Sequence, residues 1–217
     1  MEQLKQPVNI LEFDVQNPEP ALSKAGEVLS YGGTIAFPTE SFYGLGVDAT
    51  NEKAIKQIFE LKLRSSDQPL LLLISSVDDL DKIVEEIPGA AGKLIKQFWP
   101  GGLTIVFKAA QEISPLITAS TGKVGIRLSS HPAATALAET LGKPITGTSA
   151  NISGQPACST AFDVFESLGN KVNLILDGGK TQGSLGSTII DVTVDPPRIL
   201  REGMITREII EKTIPIK

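Results

Sequence analysis

Five polar clusters stand out in this sequence, most of them where β-prone runs end, the place at which α/β sheets bind ligands. In "TIAFPTESFYGLG", residues 34–46, an apolar stretch to Phe37 gives way to Pro38, the hydroxyls of Thr39 and Ser41, a carboxylate, the phenol of Tyr43, and Gly44 and Gly46. Hydroxyl donors beside glycines suit a small polar ligand approached by backbone amides; a self-bonded tight turn is the other reading. In "KLRSSDQP", Lys62 and Arg64 leave a helix two residues apart. They complement the dipole of the helix end, or they hold a polyphosphate, lysine as a point charge and arginine as a fork. In "KVGIRLSSHP", alternation places Lys123, Gly125 and Arg127 opposite Val124, Ile126 and Leu128. An arginine there either snorkels or holds an anion. Ser149 and Asn151 of "GTSANISG" follow a strand, where they cap a helix or bind phosphate and ribose. Gly183, Gly186, Ser187 and Thr188 form either a flexible loop or an anion-binding nest, with Arg201 ending a later strand. His131, directly before Pro132, reads as a helix-start residue rather than a catalyst.

The elements that must position these residues alternate between short apolar runs and amphipathic segments, the α/β pattern. Helices are predicted over 18–31, from a Thr50 or Asn51 cap through Ile55, Ile58, Phe59 and Leu61, over 78–87, 89–98, 131–142 and 160–168, and after Thr206. Gly142 is placed as a helix stop. Strands are predicted over 34–37, 70–74, 103–107, 123–128, 144–148 and 172–176, with two more in "STIIDV" and "PRILRE". A long glycine-rich loop, "DGGKTQGSLG", separates strand 172–176 from those last two. About seven strands and six or seven helices imply one α/β domain over 1–217, a twisted mixed sheet with helices packed on it.

Length and composition bound the function. The chain has 217 residues, 41% hydrophobic and 21% charged, ordinary for a globular protein. No apolar run approaches the roughly 20 residues of a membrane span, and the start carries no signal-peptide pattern, so a cytoplasmic protein without a membrane partner is expected. One cysteine, Cys158, excludes an internal disulfide and reads as a small buried or half-buried thiol. With a single histidine as well, no zinc or haem site is expected. A net charge of −5 argues against a nucleic-acid surface built on overall charge, although a local basic cleft is compatible with it.

The chain lacks the G-x-x-x-x-G-K-[ST] loop, the G-x-S-x-G elbow and the protein-kinase motifs. What it does carry, in order, is "FPTESFYGLGVDATNEKAIKQIFELKLR", "FWPGGLTIVFKA", "VGIRLSSHP", "TGTSANISGQPACST" and "GSTIIDV…ILREG". Together these resemble the YrdC family, the threonylcarbamoyl-AMP synthases, from about residue 20 to 203. The resemblance implies a concave, positively charged cavity and an enzyme, a nucleotidyltransferase. Its substrates would be L-threonine, bicarbonate and ATP, with Mg²⁺ carried on the ATP phosphates. Its products would be threonylcarbamoyl-AMP and pyrophosphate. A separate threonylcarbamoyl transferase complex would then modify position 37 of tRNA, so contact with tRNA itself would be indirect or weak.

Position by position, the resemblance implies that Ser41, Arg127, Ser149 and Ser187 contact threonine. It assigns ATP contacts to Arg64, Gln68, Lys123, Asn151, Ser159 and Arg201. Lys62, from the family's Lys-x-Arg motif, would face phosphate and stand with Arg64 as the catalytic pair. The chain departs from the family pattern in four ways. Ser41 replaces a usual threonine, "KLRSS" replaces Lys-Gly-Arg-Pro, Leu73 replaces a histidine found in some members, and the additional domain of the larger members does not follow Arg201. Two other functions fit parts of the pattern: a related carbamoyl-adenylate-forming enzyme with another substrate, and a non-catalytic RNA-binding module. A tight core expected at about 20–203, followed by a terminal helix over 206–213, completes the expectation.

Overall fold

Strand residues here alternate between two separate apolar cores, and that alternation explains the architecture. Ile35 and Phe37 pack in one core while Ala36 packs in the other; Leu174 and Leu176 are split from Ile175 in the same way, and Leu73 from Leu72. A sheet whose successive side chains are buried on opposite faces must be covered on both sides.

The computed structural model describes residues 9–183 and 185–217. Its strands are β1 (Ile10–Glu12), β2 (Ile35–Phe37), β3 (Gly44–Gly46), β4 (Leu71–Leu73), β5 (Leu103–Lys108), β6 (Lys123–Arg127), β7 (Ile145–Ser149), β8 (Leu174–Asp177), β9 (Thr188–Asp191) and β10 (Arg198–Arg201). They form one ten-stranded sheet in the order β1-β8-β2-β3-β7-β4-β6-β5-β9-β10. The sheet is mixed: β1–β8, β2–β8, β4–β6 and β5–β9 run parallel, and the other neighbours antiparallel. The helices are α1 (Glu19–Ser30), α2 (Glu52–Lys62), α3 (Gly89–Phe98), α4 (Pro115–Thr118), α5 (Pro132–Leu141), α6 (Ala161–Leu168) and α7 (Arg207–Glu211). The smaller core joins α1 and α5 to one face of the sheet through Leu22, Ala25, Leu29, Ala134 and Leu137. The larger core places α2, α3 and α6 on the other face through Ile55, Ile58, Leu94 and Val164. On the first face, α5 packs on β4 at Leu73, while Arg127 of β6 and Gly147 and Ser149 of β7 line a cavity.

Several elements differ from the sequence reading. The opening loop is shorter than it reads, because Gly44–Gly46 is itself a strand, paired with β2 and β7. A side chain on Gly46 would come within 2.4 Å of the Thr146 carbonyl oxygen, so the strand forms here only with glycine. β1 extends the sheet at its edge by parallel pairing with β8. The helix expected over 78–87 is a 3₁₀ turn, Val77–Lys82, with a Ser76–Asp79 capping box. It stops because Val84 bridges Ala109 and so turns to pairing instead of continuing the helix. The terminal helix is limited to Arg207–Glu211, and Thr206 precedes it without a side-chain capping bond. Asn51 caps α2 by accepting from the amides of Lys53 and Ala54, and Gly142 ends α5 in the left-handed region at φ 67°. No helix among the described residues is long and apolar enough to cross a membrane.

Candidate active site

Residues of the central strands form the floor of a cavity of about 480 Å³, a size suited to small ligands. Leu71 and Leu73 of β4, Arg127 of β6, and Gly147 and Ser149 of β7 supply the floor; Ser187, Ile189 and Arg201 supply a wall. Gly147 keeps that floor low: a side chain there would press within 2.9 Å of Leu73.

The opening loop forms a second wall. Thr39 Oγ1 donates to the Phe42 carbonyl at 2.6 Å and accepts from the Ser41 amide at 3.2 Å, and the two hydroxyls lie 3.1 Å apart. The loop is self-bonded, and its hydroxyls also line the cavity. The buried Tyr43 ties it to the glycine-rich loop by donating to the Gly179 carbonyl at 2.8 Å. Burial, and then Asp177, push the Tyr43 phenol pKa up, so it stays a donor.

Three guanidinium groups face the cavity. Arg64 follows α2 and donates from Nη1 to Thr148 Oγ1 at 3.2 Å and from Nη2 to the Pro69 carbonyl at 2.8 Å, leaving a buried Nε without a partner among the described residues. Arg127, 6% exposed at the end of β6, lies 3.0 Å from Glu40 and also has an unpartnered Nε. Arg201 donates twice to the Ser187 carbonyl, at 3.2 and 2.8 Å, and weakly to Ser187 Oγ at 3.3 Å. Ser187 Oγ in turn shares a 2.8 Å hydrogen bond with Thr104 Oγ1. Burial lowers the pKa of all three arginines, yet a guanidinium remains charged. Fixed positive charge with unused donors, beside hydroxyls and exposed backbone, is an arrangement that receives anions.

Of the residues singled out in the sequence, Ser41, Arg64, Arg127, Ser149, Ser187 and Arg201 meet around this cavity. The others lie elsewhere. Lys62 is 1% exposed and points behind β7, where its ammonium donates to the carbonyls of Ser149 and of Asn151, the latter at 2.7 Å. Burial, and then Arg64, lower its pKa to about 8. Lys123 is drawn sideways into a 3.0 Å ion pair with Asp191. Asn151 donates to the carbonyls of Ile152 and Gln155 at 2.9 and 2.6 Å, while its buried Oδ1 has no partner among the described residues. Ser159 bonds Asp163 at the start of α6, and Gln68 is exposed. His131 caps α5, its Nδ1 accepting from the Ala133 amide at 3.2 Å, as its place before Pro132 suggests. The carboxylates that pair with the cations, Glu40 and Asp191, are not marked in the sequence by any spacing to Arg127 or Lys123. Among the described residues no three His, Cys, Asp or Glu side chains cluster as metal ligands.

The fold and site define an α/β domain with a cavity on its mixed sheet that Arg64, Arg127 and Arg201 line. The Sua5/YciO/YrdC family model, described as telomere recombination, matches residues 27–203, and the chain belongs to this family. It is 43% identical to a threonylcarbamoyl-AMP synthase of Pyrococcus abyssi, over 84% of this chain and 54% of that protein. It is 39% identical to one of Bacillus subtilis, over 93% of this chain and 58% of that protein. The crystal structure of P. abyssi Sua5 complexed with L-threonine superposes with a TM-score of 0.92 at 40% identity, covering 94% of this chain and 60% of that one. The chain thus spans little more than half the length of these relatives.

Proposed function

We propose that this domain is an L-threonylcarbamoyladenylate synthase, condensing L-threonine, bicarbonate and ATP to threonylcarbamoyl-AMP and pyrophosphate. The observation that carries the reading is Arg127: a largely buried guanidinium that lines the cavity and whose Nε has no partner among the described residues. It belongs to a fold shared at 40% identity with a protein crystallised with threonine.

In this reading the threonine carboxylate takes the free edge of Arg127, and the hydroxyls of Ser41, Ser149 and Ser187 bond its polar groups. Bicarbonate takes up a proton and loses water to give carbon dioxide, to which the amine of threonine adds, releasing a proton, to give a carbamate. A carbamate oxygen then attacks the α-phosphorus of ATP, and the bond to the pyrophosphate breaks. Such transfers depend on positioning and charge stabilisation more than on a general base. Arg64 and Arg201 fit the phosphates: both line the cavity, and the Arg64 Nε is an orphaned buried donor. Mg²⁺ travels with the ATP phosphates and supplies further charge neutralisation. Lys62 acts from behind, fixing the carbonyls of Ser149 and Asn151 so that the turn after β7 faces the ligand. Gln68, Lys123, Asn151 and Ser159 stand at the periphery as ATP contacts carried by resemblance alone. The apolar floor and enclosing loops shield the carbamate and the mixed anhydride from water.

Downstream, a threonylcarbamoyl transferase complex would consume the product to modify tRNA in the cytoplasm, with no direct tRNA contact needed here. Pyrophosphate release tests the reading. It is expected only with threonine and bicarbonate together; equal release without threonine would assign the cavity to another carbamoyl adenylate.

A further inference from the structure

Arg127 is held from outside the cavity. Its Nη1 lies 3.0 Å from Glu40 Oε1, and both side chains are largely buried. Glu40 sits between Thr39 and Ser41, which line the large cavity, yet Glu40 itself lines a different one. That second cavity, about 350 Å³, lies behind the opening loop, with His131, Pro132, Gly178 and Lys180 around it. The carboxylate therefore reaches the guanidinium from the rear. Glu40 is anchored in its turn: Ser129 Oγ donates to its Oε2. Ser129 Oγ accepts from the His131 amide at 3.2 Å, and the Ser129 carbonyl accepts from Thr135 Oγ1 at 2.9 Å. The brace thus runs from the first turn of α5 through Ser129 and Glu40 to Arg127.

An arginine side chain loses much rotamer freedom when fixed, and a buried charge without a counter-ion is costly. Glu40 meets both costs while touching only one nitrogen. Nε is left without a partner among the described residues, so the guanidinium keeps donors for a ligand. A bidentate partner would have used them up.

We propose that Glu40 is a positioning residue: it holds Arg127 charged and aimed into the cavity, and so sets affinity for the amino-acid carboxylate without contacting the substrate. This rests on the reading that Arg127 receives the carboxylate of threonine.

Calorimetry with threonine and with a non-hydrolysable ATP analogue tests it on the wild type, Glu40→Gln, Glu40→Ala, Arg127→Ala and the Glu40→Ala/Arg127→Ala double variant. Glu40→Ala is expected to weaken threonine binding roughly tenfold or more, the scale of a lost charged contact, with ATP-analogue affinity unchanged. In turnover, KM for threonine rises while kcat is kept. Glu40→Gln, nearly isosteric but uncharged, keeps the packing and the Ser129 contact while losing the ion pair, falls between Glu40→Ala and wild type, and carries the test alone if Glu40→Ala does not fold. The double variant binds threonine no more weakly than Arg127→Ala, because Glu40 acts through Arg127. Threonine binding by Glu40→Gln as tight as or tighter than wild type would overturn the proposal, as would additive losses in the double variant. If Arg127→Ala itself leaves threonine affinity intact, the carboxylate reading fails instead.

Discussion

At the residue scale, the decisive contrast is between Arg127 and Lys62, two buried cations with opposite surroundings. Arg127 faces a carboxylate and has a spare donor; Lys62 faces two carbonyls. Arg127→Lys keeps the charge but loses the fork that matches a carboxylate. It should weaken threonine binding while leaving ATP binding unchanged, and Arg127→Ala should cost about 1.5–3 kcal/mol on threonine, most of it in KM. Calorimetry with each ligand measures this, and equal losses for both would move Arg127 to the phosphates or the scaffold. Lys62 predicts a pH effect. Its pKa in the folded chain is about 8 against 10.5 for the free side chain. Between those values the unfolded chain holds a proton that the folded chain lacks, so this group's contribution to stability rises with pH across the window and vanishes as pH falls through about 8. Urea midpoints of wild type and Lys62→Met, measured from pH 7 to 10, should therefore diverge above pH 8 in favour of the wild type. Parallel profiles would mean the ammonium is not desolvated.

At the scale of the element, the end of α2 places a leucine in a backbone conformation that favours glycine. "KLRSS" lacks the glycine of Lys-Gly-Arg-Pro, yet Leu63 occupies the left-handed region, φ 51° and ψ 41°, that a glycine would take. Its side chain is 77% exposed, so little packing offsets the strain. A left-handed non-glycine residue costs about 1–2 kcal/mol, partly cancelled by the greater unfolded-state freedom of glycine. Leu63→Gly should leave threonine and ATP-analogue binding intact and raise stability by up to about 1 kcal/mol, a melting shift of about 2–4 °C. A lower melting temperature would show that Leu63 packs against something its exposure does not reveal.

The same scale explains what the sequence could show. β6 was legible because Val124 and Ile126 alternate with Gly125 and Arg127, and the helix caps at Asn51 and Gly142 followed from local chemistry. β3 was hidden because a Gly-Leu-Gly run has no strand propensity; its reason, a partner carbonyl too close for any side chain, is a tertiary one. The 3₁₀ turn after Ser76 was read as a longer helix because Leu80, Ile83 and Val84 have helical spacing, while the bridge to Ala109 is non-local. Glu40 went unassigned for the same cause: its partner lies 87 positions away on another element, and ion pairs across a fold leave no periodic trace.

At the scale of the molecule, a chain of net charge −5 brings three arginines around one cavity on its sheet. That separation of local from overall charge suits small anionic substrates better than a nucleic-acid surface. The removal of one methyl group from the amino acid should matter modestly. Serine is expected to be a poorer substrate than threonine by roughly 10- to 200-fold in kcat/KM, and equal rates would mean that the apolar floor with Leu73 does not read the methyl group. The central claim is that this domain makes the mixed anhydride itself. The purified protein incubated with ATP, threonine, Mg²⁺ and isotopically labelled bicarbonate should yield threonylcarbamoyl-AMP carrying the label, detected by mass spectrometry, and none when threonine is omitted. Label-free AMP alone, or a labelled adenylate formed equally well without threonine, would contradict it.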